Sequence, residues 1–138
     1  MPTIQKADLG GKLTRVHMAK MMVNYAVKVL GLKPDTSKKC DFKDISNQSA
    51  ELKGYIGLAC QLGLMGTNAT KFNPSGTVSR AEFGTVLSRA FRGNKYENTK
   101  TYYKDHLQAL KNAGIITNIT STLKETRGNI MLMLMRAK

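Results

Sequence analysis

With 138 residues, the chain is one domain or a few small repeats, which excludes a cofactor domain joined to a substrate domain. Its 41% hydrophobic and 22% charged residues are an ordinary globular balance and exclude disorder throughout. Charge is the unusual quantity: 22 Lys and Arg against 9 Asp and Glu give +13, so nucleic acid, an acidic glycan and an anionic membrane surface are the first partner classes to consider.

Five helical segments are predicted in chain order, and no strand. The first runs from about Arg15 to Leu30, capped by Thr14 and stopped at Gly31, with Ala19, Met22, Val23, Ala26 and Leu30 at helical spacing. A second covers about Glu51 to Leu62, with Leu52, Tyr55, Ile56 and Ala59 on one face and Gly63 beyond. In the third, Ser79 and Glu82 form a capping box ahead of Phe83, Val86, Leu87, Ala90 and Phe91, and Gly93 follows. The fourth spans about Tyr103 to Ala113, stopping at Gly114, and the fifth runs from Arg127 to about Ala137 behind Thr126. Because Ile130 to Met135 make that last helix apolar nearly all round, it is expected to be the central helix. The same apolar run is far shorter than the 18 or more residues that span a bilayer. Met1 to Gly11 lack a basic region followed by an apolar stretch, so no signal peptide is expected in the chain.

Aligning these segments exposes an internal repeat. Three helices open with a hydroxyl cap followed by arginine: Thr14-Arg15, Ser79-Arg80 and Thr126-Arg127. Phe42-Lys43-Asp44 matches Tyr103-Lys104-Asp105, and Gly63-Leu64-Met65 matches Gly114-Ile115-Ile116. The unit is therefore aromatic-x-Asp, helix, loop, cap-Arg, helix. One domain, 1–138, then holds a half unit at 14–31 and two full units at 42–92 and 103–137.

The middle unit reads Phe42-Lys-Asp44, Leu62-Gly-Leu-Met-Gly66, Lys71-Phe72-Asn73-Pro74 and Thr77-Val-Ser-Arg80-Ala-Glu82-Phe83. In that order and spacing it resembles the S-layer homology (SLH) modules of bacterial envelope proteins. It departs from them in having no Trp, in Gly84 inside the middle helix, and in Arg-Val-His17 and Arg-Gly-Asn129 where the family has Arg-Ala-Glu. The resemblance implies an all-α fold of tandem helix-loop-helix modules packed as a pseudo-threefold bundle. It also implies a non-catalytic anchor at the cell surface or in the cell wall, which binds an acidic, often pyruvylated, secondary cell-wall polysaccharide. Exported proteins carry disulfides, so the resemblance favours a Cys40–Cys60 bridge over two reduced buried thiols.

An arginine in the first turn of a helix is mildly unfavourable against the helix dipole, yet it recurs at Arg15, Arg80 and Arg127. One reading is anion capture, a guanidinium and helix N–H groups holding a carboxylate. The other is bracing between modules through Asp44 or Asp105, and both stay open. Lys71, Asn73 and Ser75 in the turn-rich loop are further candidates for lining a glycan site, with loop sealing by Phe72 and Pro74 as the alternative. Asp44, Asp105, Glu82 and Gly66 read as structural. His17 and His106 read as surface or helix-face residues, and no spacing suits a metal or cofactor.

Two other functions compete with the anchor. A nucleic-acid binder would use the net charge, but the basic residues are scattered rather than gathered on a recognition helix. A self-assembling module would cover the apolar face left by the missing half unit with a copy of itself. An enzyme is not expected, since no nucleophile, phosphate-loop, paired-carboxylate or metal pattern appears.

Overall fold

The computed structural model of the chain describes residues 13–66, 70–93, 95 and 101–137. The stretch read for a signal peptide, loop positions 67–69 and the side chain of Arg127 lie outside the described residues. Five helices follow one another: α1 (Arg15–Lys28), α2 (Ala50–Gln61), α3 (Arg80–Arg92), α4 (Lys104–Asn112) and α5 (Arg127–Arg136). The fold is all-α, and no strand occurs among the described residues.

Local chemistry sets the helix starts. The side-chain oxygens of Ser49, Ser79 and Thr126 accept the N–H groups of Leu52, Glu82 and Asn129, satisfying a donor that each helix start leaves open. Thr14 holds the corresponding position before α1 without such a bond, its hydroxyl meeting His17 Nδ1 instead. There the loop takes over: Gly76 and Pro74 carbonyls accept the N–H groups of Arg15 and Val16. Leu123 and Ser121 do the same for Arg80 and Ala81 at α3.

α2 packs on α1, α4 packs on α3, and α1 meets α3 across the middle. Burial of Val16, Met18, Ala19, Met22, Val23, Tyr25 and Ala26 covers α1 on most of its sides. α3 contributes Phe83, Val86, Leu87 and Ala90 to the same core. Gly84, unexpected inside a helix, is explained by close packing: a Cβ there would overlap the Leu107 methyl of α4 and lie 3.3 Å from Leu107 Cγ.

The expectation that α5 is central is wrong. Among the described side chains of α5 only Ile130 and Met133 are buried, while Leu132 and Met135 are 45% and 65% exposed. The repeat explains the difference, because α1 and α3 are each covered by the helix that follows them in the chain and no described helix follows α5. The central helices are α1 and α3.

The three residues that precede the helix caps are joined in a ring. Val78 N–H donates to Leu13 O (3.2 Å), Glu125 N–H to Val78 O (2.8 Å) and Leu13 N–H to Glu125 O (3.5 Å). This ring, with the bridges Thr14–Thr77 and Ser79–Lys124 beside it, ties together the entries to α1, α3 and α5. Away from it, Cys40 and Cys60 form a disulfide with Cα atoms 6.0 Å apart. Closing a loop of about 20 residues, it contributes about 3 kcal/mol on the chain-entropy account.

Candidate functional site

The loop before α3 is shaped by a carboxylate beneath it and an aromatic ring inside it. Asp44 accepts the backbone N–H groups of Phe72 and Asn73, both at 2.8 Å. Phe72 is fully buried and meets Phe42 edge to face at 5.4 Å. Phe42 lies on Gly66, where φ is +71° and an added Cβ would sit 2.7 Å from the ring, so glycine is required twice over. Asn73 takes a positive φ of 57°, a conformation asparagine tolerates better than most residues. As a result exposure alternates along the loop: Lys71, Asn73 and Ser75 face outward, whereas Phe72 and Pro74 are buried.

Two of the three cap arginines have described side chains, and they differ. Arg15 Nε donates to Phe72 O at 2.9 Å, Nη1 bonds the Glu82 carboxylate, and the guanidinium lies over the Phe72 ring at 5.4 Å. Its Nη2 donates no hydrogen bond to a described residue. The Arg15 and Glu82 side chains are 21% and 26% exposed. Arg80 is 7% exposed and uses all three nitrogens: Nε and Nη2 meet the two oxygens of Glu125 at 2.8 and 2.9 Å, and Nη1 donates to Asn118 O at 2.7 Å. Glu125 is wholly enclosed beneath it.

This geometry corrects two details of the sequence reading. The first N–H groups of α1 and α3 bond loop carbonyls, so they do not join the guanidinium in holding a ligand. Bracing does occur, but through glutamates: Glu82 reaches from α3 to Arg15, and Glu125 reaches Arg80. Asp44 holds the loop backbone rather than Arg15 or Arg80. Glu125 was not a candidate in the sequence, although an acid directly before a cap in a chain with so few acids was the available signal.

His106 is also not a surface residue. It is fully buried between α4 and α3, its Nδ1 2.7 Å from the Ser88 hydroxyl. Around the Arg15–Glu82 pair, Tyr102 is half exposed and stacks edge to face on Tyr103. Burial, reinforced by the Glu82 charge, raises the Tyr102 hydroxyl pKa above its ordinary value. No group of three or more His, Cys, Asp or Glu suited to a metal occurs among the described residues. No described helix is long and apolar enough to cross a membrane.

The Asp44 clasp is pH-dependent with a definite sign. Hydrogen bonds from the Phe72 and Asn73 amides hold its carboxyl below the usual carboxylate range. A depressed folded value means the contribution is whole above about pH 4, the ordinary Asp range, and is lost as pH falls through the folded value. The Phe72 and Asn73 amide NMR signals should therefore titrate with a midpoint below the ordinary Asp range, and Asp44→Asn should abolish the titration. A midpoint at or above that range contradicts the clasp.

The fold and this site define an all-α domain in which the starts of α1 and α3 are bound to loop carbonyls and their arginines to glutamates, and of the two described cap arginines Arg15 is the one partly open to solvent. Residues 41–83, from the aromatic-Asp start through α2 and the loop to the first turn of α3, match the S-layer homology domain family. Over that stretch the chain is similar to S-layer homology domains, which are in general non-catalytic modules that anchor proteins to the cell wall by binding secondary cell-wall polymers. No curated protein matches the chain.

Proposed function

We propose that the chain anchors noncovalently to a carboxylate-bearing, pyruvylated cell-wall polysaccharide, received where Arg15 meets the loop 70–77. The half unit 14–31 and the units 42–92 and 103–137 form one pseudo-threefold assembly in this reading. Its support is the hydrogen-bond ring through Leu13, Val78 and Glu125, which occupy the same position in each unit. The observation that carries the site is the Arg15 guanidinium: pinned by Phe72 O and Glu82, partly exposed, with Nη2 directed at no described acceptor. Lys71 adds positive charge on the loop's outer face, and Asn73 and Ser75 offer amide and hydroxyl groups to sugar hydroxyls. A guanidinium–carboxylate contact has the strength and planarity to select an acidic substituent.

Pull-down on purified sacculi tests this. Wild-type protein should bind intact sacculi, lose binding once the acidic polysaccharide is extracted, and bind about 10-fold or more weakly as Arg15→Gln, the loss expected for one charged hydrogen bond. Equal binding to extracted sacculi, or full binding by Arg15→Gln, overturns the proposal.

A further inference from the structure

We infer that Glu125 is a built-in carboxylate that fills the Arg80 position, so that of the two described arginines only Arg15 receives the acidic glycan. The inference rests on the anchor reading above and adds which of its repeated positions is open. The Arg80–Glu125 contact is the bidentate fork that a ligand carboxylate would make, formed inside the chain at 2.8 and 2.9 Å. Both side chains are sealed from water, and Asn118 O takes the remaining nitrogen. A ligand could enter only by expelling a buried group of its own charge.

The Arg15 position differs at each point. Glu82 touches one guanidinium nitrogen, and both side chains reach solvent, so the carboxylate can turn into water when a ligand arrives. The sequence shows how the difference arose. Glu82 stands two residues after its helix-opening arginine, where the last unit has Asn129. The glutamate of the last unit stands instead two residues before Arg127, at Glu125, where its carboxylate meets Arg80.

Titration of folded protein with a soluble acidic oligosaccharide released from the wall polymer separates the two positions. The paired variant Arg80→Met/Glu125→Leu, which replaces the buried ions with apolar groups, should bind within about 2-fold of wild type. Arg15→Gln should bind about 10-fold or more weakly. Glu125→Gln, a smaller change for use should the paired variant not fold by circular dichroism, should also keep wild-type affinity. A 10-fold loss in a folded Arg80 or Glu125 variant, with wild type binding normally, overturns this inference alone. No binding by wild type overturns it together with the anchor reading.

Discussion

Glu125→Ala is expected to destabilise the fold by about 3–5 kcal/mol, because it leaves the Arg80 guanidinium charged, enclosed and without its carboxylate. Against a typical total of about 5–15 kcal/mol, that is enough to unfold a marginal domain near physiological temperature. The cause is the unpaired charge rather than a large intrinsic strength of the pair, so the double replacement Arg80→Met/Glu125→Leu should come within about 1 kcal/mol of wild type. Breaking the Arg15–Glu82 pair by Glu82→Ala should cost much less, because that pair is partly hydrated. Denaturant midpoints for the three variants provide the measurement. A Glu125→Ala cost no larger than that of Glu82→Ala would show that enclosure does not set the scale.

The helices were legible in the sequence because caps, stops and 3.6-residue spacing are local signals. Ser79 with Phe83, Val86, Leu87 and Ala90 located α3 correctly, and Ser79 does cap it. Where a helix sits in the assembly is not a local property. α5 carries the longest apolar run but lacks a covering helix among the described residues, whereas α1, with polar residues among its apolar ones, is enclosed because α2 and α3 both pack on it. At the site, the aromatic-Asp motif and the turn-rich loop were visible, and so was the recurrence of arginine. Which acid each arginine would meet was not visible, since Glu82 and Glu125 lie 67 and 45 residues away from their partners and reach them only through the ring of cap segments. His106 was missed for a related reason: a polar residue at a core position is readable only once the facing Ser88 is known.

Pairing of the acids also gives the net charge a structural meaning. Glu82 and Glu125 are each turned onto a guanidinium, and Asp44 onto two backbone amides. Most lysines, by contrast, stand on the surface, among them Lys33, Lys39, Lys43, Lys71 and Lys124. The field an approaching polymer meets is therefore strongly positive, which favours fast, salt-sensitive capture of any polyanion. Under the proposed anchor function, selection among polyanions falls to the geometry of the loop and Arg15.

Phe72→Ala is expected to cost about 3–5 kcal/mol and to abolish sacculus binding, because one side chain serves both the core and the site. The ring is fully buried, meets Phe42 and lies beneath the Arg15 guanidinium, while the backbone of the same residue donates to Asp44 and accepts from Arg15 Nε. Removing the ring leaves a cavity between Phe42 and Gly66 and withdraws the surface on which Arg15 rests. Phe72→Leu separates the two roles. It keeps most of the apolar volume, so stability should fall by roughly 1–2 kcal/mol. It removes the aromatic face, whose attraction for the guanidinium is worth about 0.5–1 kcal/mol, so binding should weaken about 2- to 5-fold while the fold persists. Thermal unfolding and sacculus binding measured on the same samples decide the matter: a stable Phe72→Ala would remove Phe72 from the core, and a stable Phe72→Leu with undiminished binding would remove the ring from the site.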